Sequence, residues 1–187
     1  MEALRAYFNR FAPLTDTEWD DFAACITIQT FRKREFLLRQ GELCDFLAFI
    51  GEGACRFYYE KEGVEKVTAF FFQGDFVTNY RSFLNNRPSE HFIETMSDAK
   101  VYVISKTDLH RLYDKHQAIE RLGRLIAENL YLTVAQRLDS FMHDTPEERY
   151  ASLLNRNSRL LQEVPQYMIA SYLGVTPETL SRIRARL

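Results

Sequence analysis

The sequence predicts an α+β protein: an N-terminal antiparallel β-barrel or sandwich, one long helix and a C-terminal helix-turn-helix. Three observations predict it. Short β-branched and aromatic runs, separated by glycine or charge, fill residues 26–105, which is the pattern of an antiparallel all-β body. An apolar stripe with helical spacing then runs through residues 117–142. Finally, residues 166–187 carry apolar, small, turn and cap residues in the order that two crossing helices require.

Composition narrows the function classes. The chain has 187 residues, 46% hydrophobic and 27% charged, enough apolar material to offset chain entropy and exclude dominant disorder. Its length suits one medium domain with a small appendage. No uncharged apolar run approaches the ~20 residues of a membrane span. Met1-Glu-Ala-Leu-Arg5 lacks the basic and apolar regions of a secretory signal, so a cytoplasmic protein without a membrane partner is expected. A net charge of −2 argues against wholesale nucleic-acid binding but permits a local basic face. Cys25, Cys44 and Cys55 form no C-x-x-C pair. They are expected to be buried reduced thiols, with no metal site and no cofactor.

The elements follow in order. Residues 1–25 read as helical with a break at Pro13, and Thr15 and Glu18 are spaced as a capping box before Trp19, Phe22 and Ala23. Strand-like runs follow at Ile26–Phe31, Phe46–Ile50, Ala54–Tyr59, Val64–Phe72 and Ala99–Ile104. Gly41, Gly51, Gly53, Gly63 and Gly74 fall between them, and Lys61-Glu62-Gly63 reads as a hairpin tip. A helix over 117–142 would be ~39 Å long. Its stripe is Ile119, Leu122, Ile126, Leu130, Val134, Leu138 and Met142, with Leu125, Tyr131, Leu132 and Phe141 off that line. Two apolar faces need two packing partners: the β-body and a second chain, or a burial within one monomer. The first is favoured, since a chain this short has little else to cover the helix. His143-Asp144 is a candidate hinge, and Thr145-Pro146-Glu147-Glu148 starts a new helix. The expected domains are therefore 1–142 and 143–187.

In the C-terminal segment, Ile169, Leu173, Val175, Leu180 and Ile183 supply the inside of a helix-turn-helix. Ala170 permits close approach, Gly174 makes the turn, and Thr176-Pro177 caps and starts the second helix. At 100° per residue, Leu180, Ile183 and Leu187 share one arc, while Glu178, Ser181, Arg182 and Ala185 share the opposite one. Arg184 and Arg186 flank the polar arc. Such a face suits a major groove: Arg182 can bind guanine bidentately, Glu178 can accept from a cytosine amino group, and marginal arginines can reach phosphates. The alternative is a solvated helix with an i,i+4 Glu178–Arg182 pair.

On these residues the chain resembles the bacterial cyclic-AMP receptor protein/Fnr (Crp/Fnr) family of transcription regulators, with Gly41, Gly53, Gly63 and Gly74 in family-like positions. Gly74-Asp75-Phe76 resembles the start of the family's phosphate-binding cassette, and Thr176–Ile183 resembles its recognition helix. The resemblance implies a cyclic-nucleotide-binding-like jelly-roll barrel, a dimerisation helix and a DNA-binding helix-turn-helix. It places Glu178 and Arg182 on base contacts and Gln166 and Thr179 on backbone or flanking contacts. Thr176, Pro177, Ser181, Arg184 and Arg186 complete the candidate DNA surface. The implied partners are an inverted-repeat double-stranded operator, a second copy of the chain and RNA polymerase.

Departures from the family pattern bear on the effector. Asn79 stands where cyclic-AMP binders have a ribose-binding glutamate, and Ser89 and Glu90 stand where they have arginine and serine or threonine. The candidate effector pocket is Asn79, Tyr80, Arg81, Arg87, Ser89 and Glu90, in which Arg81 or Arg87 could substitute from a shifted loop. A carboxylate at the phosphate position is repulsive, so a regulator unresponsive to cyclic AMP is expected, its barrel either holding another, unidentified small-molecule effector or acting as a ligand-free dimerisation scaffold. The alternative is an effector-binding module or a cyclic-nucleotide-binding regulatory subunit that acts through protein partners. An enzyme is not expected, as G-x-S-x-G, P-loop, H-E-x-x-H and dinucleotide motifs are all missing.

Overall fold

The chain opens with two helices, α1 (Glu2–Asn9) and α2 (Asp16–Ala24), of which the second is set by capping chemistry. In the computed structural model, which describes residues 1–156 and 158–186, Pro13 lies between them and Thr15 begins α2. The Thr15 hydroxyl accepts from the Glu18 amide at 3.3 Å, and Glu18 Oε2 accepts from the Thr15 amide at 2.8 Å. Each donor would otherwise be an orphan of the helix end. The apolar faces of the two helices, Leu4, Phe8, Trp19 and Phe22, enter one core with Phe49, Phe83 and Ile104.

The strands are β1 (Thr27–Phe31), β2 (Phe36–Leu38), β3 (Phe46–Glu52), β4 (Ala54–Lys61), β5 (Val64–Phe72), β6 (Phe76–Val77), β7 (Phe92–Thr95) and β8 (Ala99–Ser105). A short helix, α3 (Tyr80–Asn85), separates β6 from β7. They form two four-stranded sheets, ordered β1-β8-β3-β6 and β2-β7-β4-β5. This corrects the expected closed barrel. β6 has two residues and β2 three, too short to carry a ladder from one sheet to the other, so the body is a sandwich of jelly-roll type. Leu38, Ala48, Ile50, Cys55, Val77, Ile93 and Val101 fill its interior from both sheets. The hairpin tip falls where expected. Glu62 and Gly63 have φ of +55° and +74°, so both central residues are left-handed, as a primed two-residue turn demands.

Cys44 and Cys55 are buried free thiols, and burial pushes the Cys55 pKa up to about 12. Cys25 departs from the expectation and is only half-buried, its thiol donating to the Asp21 carbonyl at 3.4 Å.

The helical half begins with α4 (Lys106–Lys115) and α5 (Gln117–His143), followed by α6 (Pro146–Arg156), α7 (Ser158–Glu163), α8 (Gln166–Leu173) and α9 (Pro177–Arg186). Ile119 and Leu122 of α5 are buried in the core shared with α1 and α2, and Ile126 packs against it. Farther along, the same stripe is exposed: Val134 is 57%, Leu138 60% and Met142 68% accessible. Thr145 caps α6 with a second capping box, its amide donating to Glu148 Oε2 at 2.8 Å. Among the described residues, no helix is long and apolar enough to cross a membrane.

The chain forms two compact units, one of residues 1–57 with 71–128, the other of 58–70 with 129–187. The second unit thus contains the tip of the β4–β5 hairpin as well as the C-terminal helices. Within it the Val67 amide donates to Ser171 Oγ at 2.9 Å, and the Phe70 and Tyr172 rings lie 5.5 Å apart.

Candidate nucleic-acid interface

The turn between α8 and α9 is built as its residues require. Gly174 closes α8 in the left-handed conformation (φ +72°), and its amide bonds back to Ala170 and Ser171 carbonyls. The Thr176 hydroxyl accepts from the Thr179 amide at 3.3 Å and caps α9. Ile169, Ala170 and Leu173 of α8 and Leu180 and Ile183 of α9 are all buried. Val175, expected inside, is half-buried, and Leu187, expected on the inner arc, lies outside the described residues. Helix α6 packs on both α8 and α9 and so supports the pair from behind.

The opposite arc of α9 is open. Glu178, Ser181, Arg182, Arg184, Ala185 and Arg186 are exposed, as are Gln166, Thr176 and Pro177, while Thr179 is half-buried. Arg182 Nη2 donates to Thr179 Oγ1 at 3.1 Å, which holds the guanidinium along the helix surface. Hydrogen bonding from its own amide and from Thr176 holds the Glu178 carboxyl below its ordinary pKa, and Arg182 adds to this, so Glu178 is ionised at neutral pH. Arg186 stands 3.8 Å from Glu147 on α6. An exposed row of arginines with a short polar centre can meet phosphates at its margins and base edges in the middle.

The six effector-pocket candidates differ in burial, with Asn79 and Ser89 buried, Tyr80 half-buried and Arg81, Arg87 and Glu90 exposed. Asn79 caps α3, accepting from the Ser82 amide at 3.1 Å. Its Nδ2 donates to Ser89 Oγ at 2.6 Å, and Ser89 Oγ donates to the His91 carbonyl at 2.7 Å. Both residues are buried, and this chain of bonds engages their side chains. Arg81 and Glu90 instead pair with each other at 3.1 Å on the surface, their side chains 75% and 69% accessible. Arg87 is exposed, and the Tyr80 ring stacks on Phe83. Sequence reasoning missed a buried ion pair nearby, in which Arg56 Nε and Nη2 donate to Glu94 Oε2 at 3.1 and 2.7 Å. The available signal was a charged residue inside each of two apolar strand runs, Ala54–Tyr59 and Phe92–Thr95. Beside it the His91 ring stacks on Phe57 at 4.4 Å, and burial lowers the His91 pKa. Among the described residues, no cluster of His, Cys, Asp and Glu is arranged to hold a metal.

Residues 28–116 match the family described as the cyclic nucleotide-binding domain. That span is similar to a cyclic nucleotide-binding domain. It takes in all eight strands apart from the first residue of β1, the α3 cassette and α4. Comparison with curated proteins found no match. Solved structures share the fold over most of the chain. FixK2 from Bradyrhizobium japonicum has a TM-score of 0.72 at 23% identity, covering 87% of this chain and 84% of that one. A protein from Eubacterium rectale assigned to the Crp/Fnr family of transcriptional regulators gives 0.71 at 17% identity, covering 92% and 83%. CLP of Xanthomonas campestris, described as a c-di-GMP-responsive global regulator, gives 0.69 at 18%, covering 92% and 91%. The chain is thus similar in fold to a solved structure assigned to the Crp/Fnr family. Asn79, Ser89 and Glu90, the residues that the resemblance sets against the family's phosphate cassette, are each engaged by local hydrogen bonds or an ion pair.

Proposed function

We propose that the chain is a dimeric, cytoplasmic, DNA-binding transcriptional regulator of the Crp/Fnr type that does not answer to cyclic AMP. The observation that carries it is the two-sidedness of α9: Leu180 and Ile183 are 1% exposed, while Glu178, Ser181, Arg182, Arg184 and Arg186 face outward. Glu178 and Arg182 read bases, and Ser181 lies between them. Arg184 and Arg186 reach phosphates at the margins, while Gln166, Thr176, Pro177 and Thr179 contact the backbone at the turn. Division of labour falls near residue 142, with sensing and dimerisation before it and DNA binding after it. The exposed apolar stripe on the second half of α5 supports a two-fold dimer, which sets the two recognition helices roughly 34 Å apart on an inverted repeat. Selection of bound DNA from a random library tests this directly. An enriched inverted repeat is the expected result, and no enrichment over random sequence would refute it.

Insensitivity to cyclic AMP rests on the Asn79–Ser89 bond and the Arg81–Glu90 pair. A cyclic phosphate entering there finds no unpaired guanidinium from Arg81 and meets the Glu90 carboxylate, so its charge would be poorly compensated. Isothermal titration with cyclic AMP and cyclic GMP should show no binding tighter than ~10 μM, a ΔG° near −7 kcal/mol. Tighter binding of either nucleotide would overturn this part of the proposal.

A further inference from the structure

The last turn of a helix leaves four carbonyls without intrahelical partners. In α8 these belong to Ala170, Ser171, Tyr172 and Leu173, and each has an identified donor. The turn itself serves the first two, through the Val175 amide on Ala170 at 3.0 Å and the Gly174 amide on Ser171 at 3.1 Å. The other two are served from outside the helix-turn-helix. Arg137 of α5 donates Nη2 to the Tyr172 carbonyl at 3.1 Å. Arg149 of α6 donates Nε and Nη2 to the Leu173 carbonyl at 3.3 and 3.1 Å. Its Nη1 donates at 2.7 Å to the carbonyl of Asp144, in the connection between α5 and α6. One guanidinium therefore ties that connection to the end of α8.

The two cations are themselves fixed by aromatic rings. Phe141, one turn after Arg137 on α5, lies 5.2 Å from the Arg137 guanidinium and 4.9 Å from that of Arg149. Arg137 also lies 3.8 Å over the Tyr172 ring. Burial lowers the Arg137 pKa, and Tyr172 opposes that shift. Positive charge at a helix C-terminus complements its dipole, and α8 has only eight residues, too few to hold together by itself.

We infer that Arg137 and Arg149, with the Phe141 ring between them, form an external C-cap on α8 that positions the recognition helix for DNA. They are positioning residues: α9 is covalently continuous with the capped turn through Gly174-Val175-Thr176, so the direction of α9 depends on where the last turn of α8 is held. A lysine can supply the charge but cannot fork to two carbonyls or stack flat on a ring, so it is a poor substitute at either position. The inference rests on the proposed DNA-binding function, and a DNA-free measurement separates the two.

The test uses the full chain and three variants, R137A, R149A and R137K. Hydrogen exchange without DNA should quicken roughly tenfold at the amides of residues 174–180 in both alanine variants, with exchange in residues 46–57 unchanged. Affinity for the selected operator should fall roughly tenfold, while affinity for random-sequence DNA and its salt slope stay at wild-type values. R137K should recover only part of the operator affinity. Unchanged exchange at the turn would overturn the cap. Equal weakening on operator and random DNA would also overturn it, since that is the signature of a lost phosphate contact or of unfolding. A wild-type protein that binds no DNA overturns the proposed function, and it does so whatever the exchange experiment shows.

Discussion

Gly174→Ala isolates the chemistry of the turn, because Gly63 provides a matched control. The two glycines share a left-handed conformation, φ +72° and +74°. A Cβ residue held there costs ~1–2 kcal/mol. At Gly63 an added Cβ meets nothing within 4 Å, so Gly63→Ala carries that strain alone. At Gly174 the same Cβ lies 3.0 Å from Cε1 of Phe141 and 3.9 Å from its Cζ. The ring must yield by some tenths of an ångström, and in doing so it loosens its contacts with Arg137 and Arg149, each worth ~0.5–1 kcal/mol at a partly exposed site. Gly174→Ala should therefore cost about 1 kcal/mol more than Gly63→Ala, a further ~2–4 °C in melting temperature for a chain of this size. Urea titrations followed by circular dichroism measure both costs, and exchange at residues 166–180 shows whether the second unit opens separately. In a Phe141→Leu background the extra cost should vanish. If the two glycine substitutions cost the same within ~0.4 kcal/mol in the wild-type background, Phe141 does not seat against the turn.

Leu130→Glu or Leu138→Glu should give monomers in sedimentation with little loss of stability, because both side chains are exposed in the single chain. Ile126→Glu is a poorer probe, since Ile126 packs on the N-terminal core and its loss confounds dissociation with unfolding. Arg182→Ala should cost ~1–3 kcal/mol at one base pair and relax preference there, read by competition with single-base operator variants, whereas Arg184→Ala should weaken all sequences alike and flatten the salt dependence. Intact base preference in Arg182→Ala would rule out the proposed docking. At acid pH, Lys115 and His116 hold the Asp21 carboxyl below 3.8, so its contribution is full above that value and disappears as pH falls through the depressed folded pKa. Asp21→Asn should make stability fall less steeply below pH 3.8, and an unchanged acid limb in urea titrations would count against this pair.

Local chemistry was legible wherever it is decided within a few residues. The Thr15 and Thr145 caps, the Glu62-Gly63 tip and the Gly174 turn all follow from residues that bond to, or fix, their own backbone. The closing of the β-body was not legible in this way. Whether short strands complete a barrel depends on how many rungs β2 and β6 can offer, and their three and two residues are visible only once paired. The same limit hid the cations paired over long sequence distances. Arg56 reads as an interruption in an apolar strand until Glu94 is brought beside it from 38 positions away. Arg149 reads as one more surface arginine until its 24-residue reach to Leu173 is closed. Arg81 shows the converse: named as a substitute phosphate ligand because it is near in sequence, it spends its charge on Glu90 at the surface.

The long helix shows why a pattern can be read correctly while its partner stays open. One apolar stripe runs from Ile119 to Met142 without a break in spacing, yet it changes environment along its length, with Ile119 and Leu122 at 2% exposure and Leu138 and Met142 at 60% and 68%. Periodicity reports that a face must be covered, and it is indifferent to what covers it. The first half meets its requirement within the chain, against Phe83, Leu109 and Leu112. The second half keeps the same apolar spacing with no comparable cover among the described residues, and a solvent-facing helix would not keep Leu130, Val134, Leu138 and Met142 on one line. In the proposed dimer a second copy would provide the matching stripe at the same height on a parallel helix, so one contact would answer both the two-fold proposed for reading an inverted repeat and the unburied half of α5.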